Sequence, residues 1–180
     1  MTRKFLGQLA AAAIAAFSLS ACVESRVALV TNTQPVLGQQ FEVHLYEDFV
    51  DNKAGAVHAS AYRWEDGQYI RVNGLSRDAK RFVAQPLAGN DFLIQSSDEG
   101  KQVYLYWIGR KLAPGVYLIF GVDEADADET TRNAICGTDR PEGICRVTAR
   151  DELITLARAT AAKPPKKPAL GVVVSRPVLF

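Results

Sequence analysis

The sequence has only two histidines, His44 and His58, and only three cysteines, Cys22, Cys136 and Cys145. A structural zinc site gathers about four such ligands at short spacings, and both histidines lie far along the chain from the cysteine pair at 136 and 145. There is no Gly-x-Ser-x-Gly elbow, no phosphate-cradling glycine loop and no His-Glu-x-x-His helix. The commonest signatures of serine hydrolases, nucleotide enzymes and metalloproteases are therefore missing, and no cofactor is indicated. An excess of charge is also missing, with 21 basic residues against 20 acidic ones. That balance calls for neither a nucleic-acid partner nor a polybasic membrane patch.

What is present begins at the N-terminus. In "MTRKFLGQLAAAAIAAFSLSAC", Arg3 and Lys4 precede an apolar run from Phe5 to Leu19 without a charge, and the small residues Ser20 and Ala21 follow. This is the three-part layout of a secretory signal peptide. The run is short for a membrane span, which takes about 20 apolar residues to cross roughly 30 Å of hydrocarbon.

Leu19-Ser20-Ala21-Cys22 resembles the lipobox of bacterial lipoproteins. The resemblance covers the first 22 residues and implies cleavage before Cys22, lipidation of its thiol, and a mature chain held by acyl chains. One acyl chain binds only marginally, at about 0.8 kcal/mol per buried methylene, whereas two or three hold firmly. In this family an aspartate after the cysteine retains many proteins in the inner membrane, so Val23 implies the outer membrane, with the body on the periplasmic side. Without Arg3 and Lys4 the mature chain has 19 basic residues against 20 acids. The expectation is a small, nearly neutral soluble body on a lipid tether.

With Cys22 committed to lipid, Cys136 and Cys145 remain as an even pair in an oxidising compartment, where a disulfide is expected. Eight residues separate them, unlike the two of a thioredoxin-like Cys-x-x-Cys, and Pro141-Glu142-Gly143 supplies a turn between them.

Strand signals dominate the middle. Phe41 to Tyr46 alternates, and "VHASAYRWEDGQYIRVNG" is a hairpin about Asp66-Gly67. "RFVAQPLAGNDFLIQSS" repeats the layout about Gly89-Asn90, and "KQVYLYWIGRKLAPGVYLIFGV" repeats it about Pro114-Gly115. Val103 to Ile108 and Val116 to Phe120 are apolar on both faces, so they should be central strands covered on both sides. Tyr104, Tyr106, Trp107 and Tyr117 are accordingly assigned to the core.

Helix comes late. "DEADADETTRNAIC" starts with acids suited to a helix N-terminus. In "VTARDELITLARATAA", Thr148 is the expected cap, Asp151 lies three residues on, and Leu153, Ile154, Leu156 and Ala157 form one apolar stripe. The lysines and prolines of Lys163 to Pro168 break regular structure. Leu170 to Ser175 could return as an edge strand, but a loose tail is the favoured reading.

Three constellations could carry chemistry or recognition. His58 and Ser60 are two apart on a strand and so share a face, with His44 as a companion, which would suit a small envelope hydrolase. Asp123, Asp126 and Asp128 in an acidic run could offer oxygens to calcium, although the glycine of an EF-hand loop is missing. Trp64 beside the Asp66-Gly67 turn could anchor a partner.

The sequence thus predicts an α+β domain over 22–162. Its antiparallel meander of about six to eight strands, open or curled toward a barrel, packs with one or two C-terminal helices. A signal peptide over 1–21 precedes it and a Pro/Lys-rich linker and tail over 163–180 follow. The expected function is a non-enzymatic envelope binding or accessory module with a protein or polymer partner. A hydrolase using His58 and Ser60, or a small-ligand carrier, is the alternative.

Overall fold

The computed structural model describes residues 23–31, 34–46, 56–73, 80–98, 100–138, 143–165 and 169–175; at 45–46, 56–58, 169–171, 173 and 175 the backbone alone is described. The fold is α+β, mainly antiparallel sheet. The described strands are β1 (Val23–Ser25), β2 (Gln40–Tyr46), β3 (Ala56–Glu65), β4 (Gln68–Asn73), β5 (Arg81–Ala88), β6 (Asp91–Asp98), β7 (Val103–Ala113), β8 (Val116–Gly121), β9 (Cys145–Arg146) and β10 (Ala169–Ser175). The α-helices are α1 (Glu129–Cys136) and α2 (Arg150–Ala161), with a 3₁₀ turn at Glu124–Asp126 before them.

The three hairpins form where the turn dipeptides place them: β3 pairs with β4, β5 with β6, and β7 with β8. All three close with two-residue turns. Asp66 and Gly67 both take positive φ, 50° and 81°, the two-residue turn whose twist matches that of the flanking strands.

The sheet curls. β6 pairs with β5 on one side and with β7 on the other, so successive pairings lead from β2 through β3, β4, β5, β6, β7, β8 and β10 back to β2. The zipping is uneven, since β4 and β5 share only two register positions, Tyr69 opposite Phe82 and Ile70 opposite Arg81.

β10 corrects the expected loose tail. Ala169–Ser175 lies between β2 and β8 and is antiparallel to both, so it completes the curl as an interior strand. The physical reason is the gap between two apolar neighbours that pair with nothing else on those edges. Val172 is buried there and Val174 packs on the inner core.

Curling splits the apolar residues into two cores. Inside the curl are Phe41, Val43, Tyr62, Tyr69, Ala84, Phe92, Ile94 and Val172. Aromatic rings fill much of it: Tyr69 meets Phe41 at 5.1 Å, Phe82 at 4.9 Å and Trp64 at 4.8 Å between centroids. Gly109 of β7 makes room for this filling, because a Cβ there would stand 2.3 Å from Cε2 of Phe92. Outside the curl, Leu93, Tyr106, Ile108, Leu118 and Phe120 pack against Val23, Cys145, Val147 and α2 residues Leu153, Leu156 and Ala157.

Strands β6, β7 and β8 are the wall between the cores, which is why their sequences are apolar on both faces. Trp107, Tyr117 and Ile119 serve the inner core, while Tyr106, Ile108, Leu118 and Phe120 serve the outer one. All four aromatics assigned to the core pack on one of the two.

α2 buries Leu153, Leu156, Ala157 and Thr160, with Ile154 packed on the same core. Its cap differs from expectation by one residue. Ala149 is the N-cap, and Glu152 rather than Asp151 supplies the acceptor, taking the N–H of Thr148 at 2.8 Å and of Ala149 at 3.0 Å. At the other end of the helix Arg110 donates to the Ala161 carbonyl and forks onto Asp91 at 2.8 and 2.9 Å. Among the described residues, no helix is long and apolar enough to cross a membrane.

Candidate functional site

The region with the most concentrated polar engineering is the first strand. Val23 has no exposed surface, and Glu24 and Ser25 are also buried. β1 runs antiparallel to β7, with Glu24 opposite Leu105 and Ser25 opposite Tyr104. Its other edge runs parallel to β9, with Val23 opposite Cys145 and Glu24 opposite Arg146. The edge of β7 just beyond β1 is already taken, because the Val122 N–H donates to the Tyr106 carbonyl at 3.1 Å as the chain leaves β8.

Side chains lock the strand. Ser25 Oγ and Tyr106 Oη are 2.5 Å apart, and Ser25 Oγ donates onward to the Val27 carbonyl. Arg146 Nε donates to Glu24 Oε1 at 2.7 Å, giving the buried carboxylate the partner that burial requires. Further on, Gln95 Oε1 accepts the N–H groups of Leu29 and Val30 at 2.8 and 2.9 Å. A side-chain amide thus stands in for a ladder that these residues do not make, as buried backbone groups demand.

β9 is held in turn by the disulfide. Cys136 at the end of α1 and the buried Cys145 are bonded, with Cα atoms 4.8 Å apart. The staple therefore joins α1 to the strand that flanks Val23.

The chemistry of this region is holding rather than reaction. The cysteines are consumed by their bond, and Glu24 is paired with Arg146. The Tyr106 hydroxyl is pushed above its ordinary pKa by burial, partly offset by its hydrogen bonds with Ser25 and the Leu29 backbone.

The other sequence candidates are scattered. Cys22 lies outside the described residues. The His58 backbone is in β3, opposite Leu45, and its side chain lies outside the described set. Ser60 is buried opposite Val43, whereas His44 is opposite Ala59. Cross-strand partners share a face, so His44 and Ser60 sit on opposite faces of the sheet, and His44 Nε2 is instead 2.9 Å from Glu42 Oε1. The expected companionship of His44 with Ser60 is thereby corrected. Trp64 is partly buried with its ring on Tyr69, covering the inner core.

The acids divide their work between two caps. Asp123 Oδ1 accepts the Ala125 N–H at 2.9 Å. Asp128 accepts both the N–H and the hydroxyl of Thr131, which hold its carboxyl below the usual range. Asp126 lies within the 3₁₀ turn. Among the described residues, no three His, Cys, Asp or Glu side chains gather as a metal-binding group.

Sequence reasoning missed β1 and its locks. Tyr106 was assigned to the core, but Gln95 and Glu24 are polar residues in short or alternating stretches, and nothing local marks them as buried.

No protein-family model, curated protein or solved structure matches the chain.

Proposed function

We propose that the protein is a membrane-anchored envelope lipoprotein whose folded domain is a non-enzymatic binding or accessory module, carried on the periplasmic side of the outer membrane. The observation that carries this reading is a coincidence of boundaries. The lipobox resemblance ends at Cys22, and Val23, the next residue, is already the first of a buried strand. The implied cut, between Ala21 and Cys22, thus falls one residue before the buried strand, which suits a chain cleaved there.

Two further features support it. The Cys136–Cys145 disulfide suits an oxidising compartment. The polar groups of the N-terminal site are spent on each other, and the inner core is filled largely with aromatic rings, which suits a body that acts through its surface.

The test is the intact mass of the protein purified from bacterial membranes, with thiol labelling before and after reduction. The expected species begins at an acylated Cys22 and reveals two further thiols only on reduction. A full-length chain with three free thiols would overturn the reading.

A further inference from the structure

A lipid anchor normally leaves its protein free to tumble, because a flexible segment separates the acylated residue from the fold. Here no such segment exists. Covalent geometry keeps the Cα of residue 22 about 3.8 Å from that of Val23; Val23 has no exposed surface and is paired with Cys145, and Glu24 after it is paired on both edges. Its Ser25 neighbour is tied to Tyr106 and its Glu24 neighbour to Arg146. An anchor on Cys22 is thus fixed to the body, and fixing the anchor fixes which flank meets the bilayer.

That flank can be named from the register. Val23 is the partner of Cys145 across one strand spacing, about 4.8 Å, and Cys145 is 4.8 Å from Cys136 by Cα atoms. The Cα of Cys136, at the C-terminal end of α1, therefore lies within about two strand spacings of Val23, and exposed Ala134, Gly137 and Thr138 are within two residues of it. On the far side of the curl is β3, four pairings from β7 in either direction.

We propose that the flank built from the end of α1 and the disulfide lies directly against the lipid surface, and that the β2–β3–β4 wall faces away from it. The proposal rests on the lipoprotein reading. It deepens that reading by assigning the domain one orientation: the exposed Ala59 and the Arg63–Glu65 pair are presented to the periplasm, and the disulfide braces the strand next to the anchor.

The experiment uses the full acylated protein in phosphatidylethanolamine–phosphatidylglycerol vesicles bearing nitroxide headgroups. A fluorescent amino acid replaces either Ala134 or Ala59, both exposed and neither in a core. In a body of this size the two sites are separated by roughly 30 Å. Quenching at 134 is expected to exceed that at 59 by about twofold or more. Inserting a ten-residue Gly/Ser segment between Cys22 and Val23, about 17 Å in r.m.s. length, should bring the two values together. Equal quenching in the uninserted acylated protein, or stronger quenching at 59, overturns the orientation while leaving the lipoprotein reading intact. A mass lacking acyl chains on Cys22 removes both.

Discussion

Tyr106 Oη stands 2.5 Å from Ser25 Oγ in the outer core, joining the longest strand of the sheet to one of the shortest. The bond matters because β1 has only three residues, so each of its ties, to β7, to β9 and through Glu24 to Arg146, carries a large share of its hold. Tyr106→Phe removes the hydrogen bond to Ser25 and the longer one to the Val27 carbonyl at 3.4 Å, while Ser25 keeps the Val27 carbonyl, so the expected loss is about 1–2 kcal/mol. Urea unfolding should show a lower midpoint at an unchanged slope.

Replacing both Cys136 and Cys145 by serine opens a loop of about ten residues, which the chain-entropy model values at roughly 2.5 to 3 kcal/mol. The loss should be local first. Since Cys145 flanks Val23, amide exchange at β1 and β9 should quicken before that of β2 and β3, which native-state hydrogen exchange would resolve.

Gly109→Ala places a methyl group where Phe92 already is. Overpacking of this kind costs about 1–3 kcal/mol. Phe92→Leu destabilises the normal protein by opening space, yet it should offset part of the Gly109→Ala penalty. A double-mutant cycle read by denaturant melts tests this, and strict additivity would show that the ring yields freely.

The Tyr69 hydroxyl is pushed up to about 12 by burial, offset by the Leu37 N–H that it accepts and reinforced by Tyr117. The neutral phenol is therefore the form that the fold favours. Its contribution is complete below the unfolded value near 10 and is lost as pH rises toward 12, at up to about 1.4 kcal/mol per pH unit. Tyr117 is shifted in the same direction by burial. Stability measured across this range should fall, and Tyr69→Phe should flatten the fall. Tyrosinate absorbance should appear at Tyr69 only as the protein unfolds.

The hairpins were legible because their information is local. Asp66-Gly67, Gly89-Asn90 and Pro114-Gly115 each carry their turn chemistry between two apolar runs. The two-sided coverage of β7 and β8 was legible for the same reason, since it is written in unbroken apolar stretches. β10 was not. A Lys/Pro run precedes it, no turn joins it to a neighbour, and both partners lie far back in the chain. β1 was hidden by its length and by a parallel partner of only two residues. The two cysteines of the staple could be named from the sequence, but their approach to β1 depends on long-range pairing that no local pattern reports.

The position of β10 orders the life of the chain in time. As the polypeptide emerges from its N-terminal end, each hairpin can close on itself, but β2 and β8 keep bare edges until the last described strand arrives to sit between them. Bare edges recruit other chains. A polypeptide halted just short of Ala169 would hold nearly all of its apolar residues and both cysteines of the disulfide, and still be adhesive. Coverage of those two edges thus waits for Ala169–Ser175, which is made after both of the strands it joins.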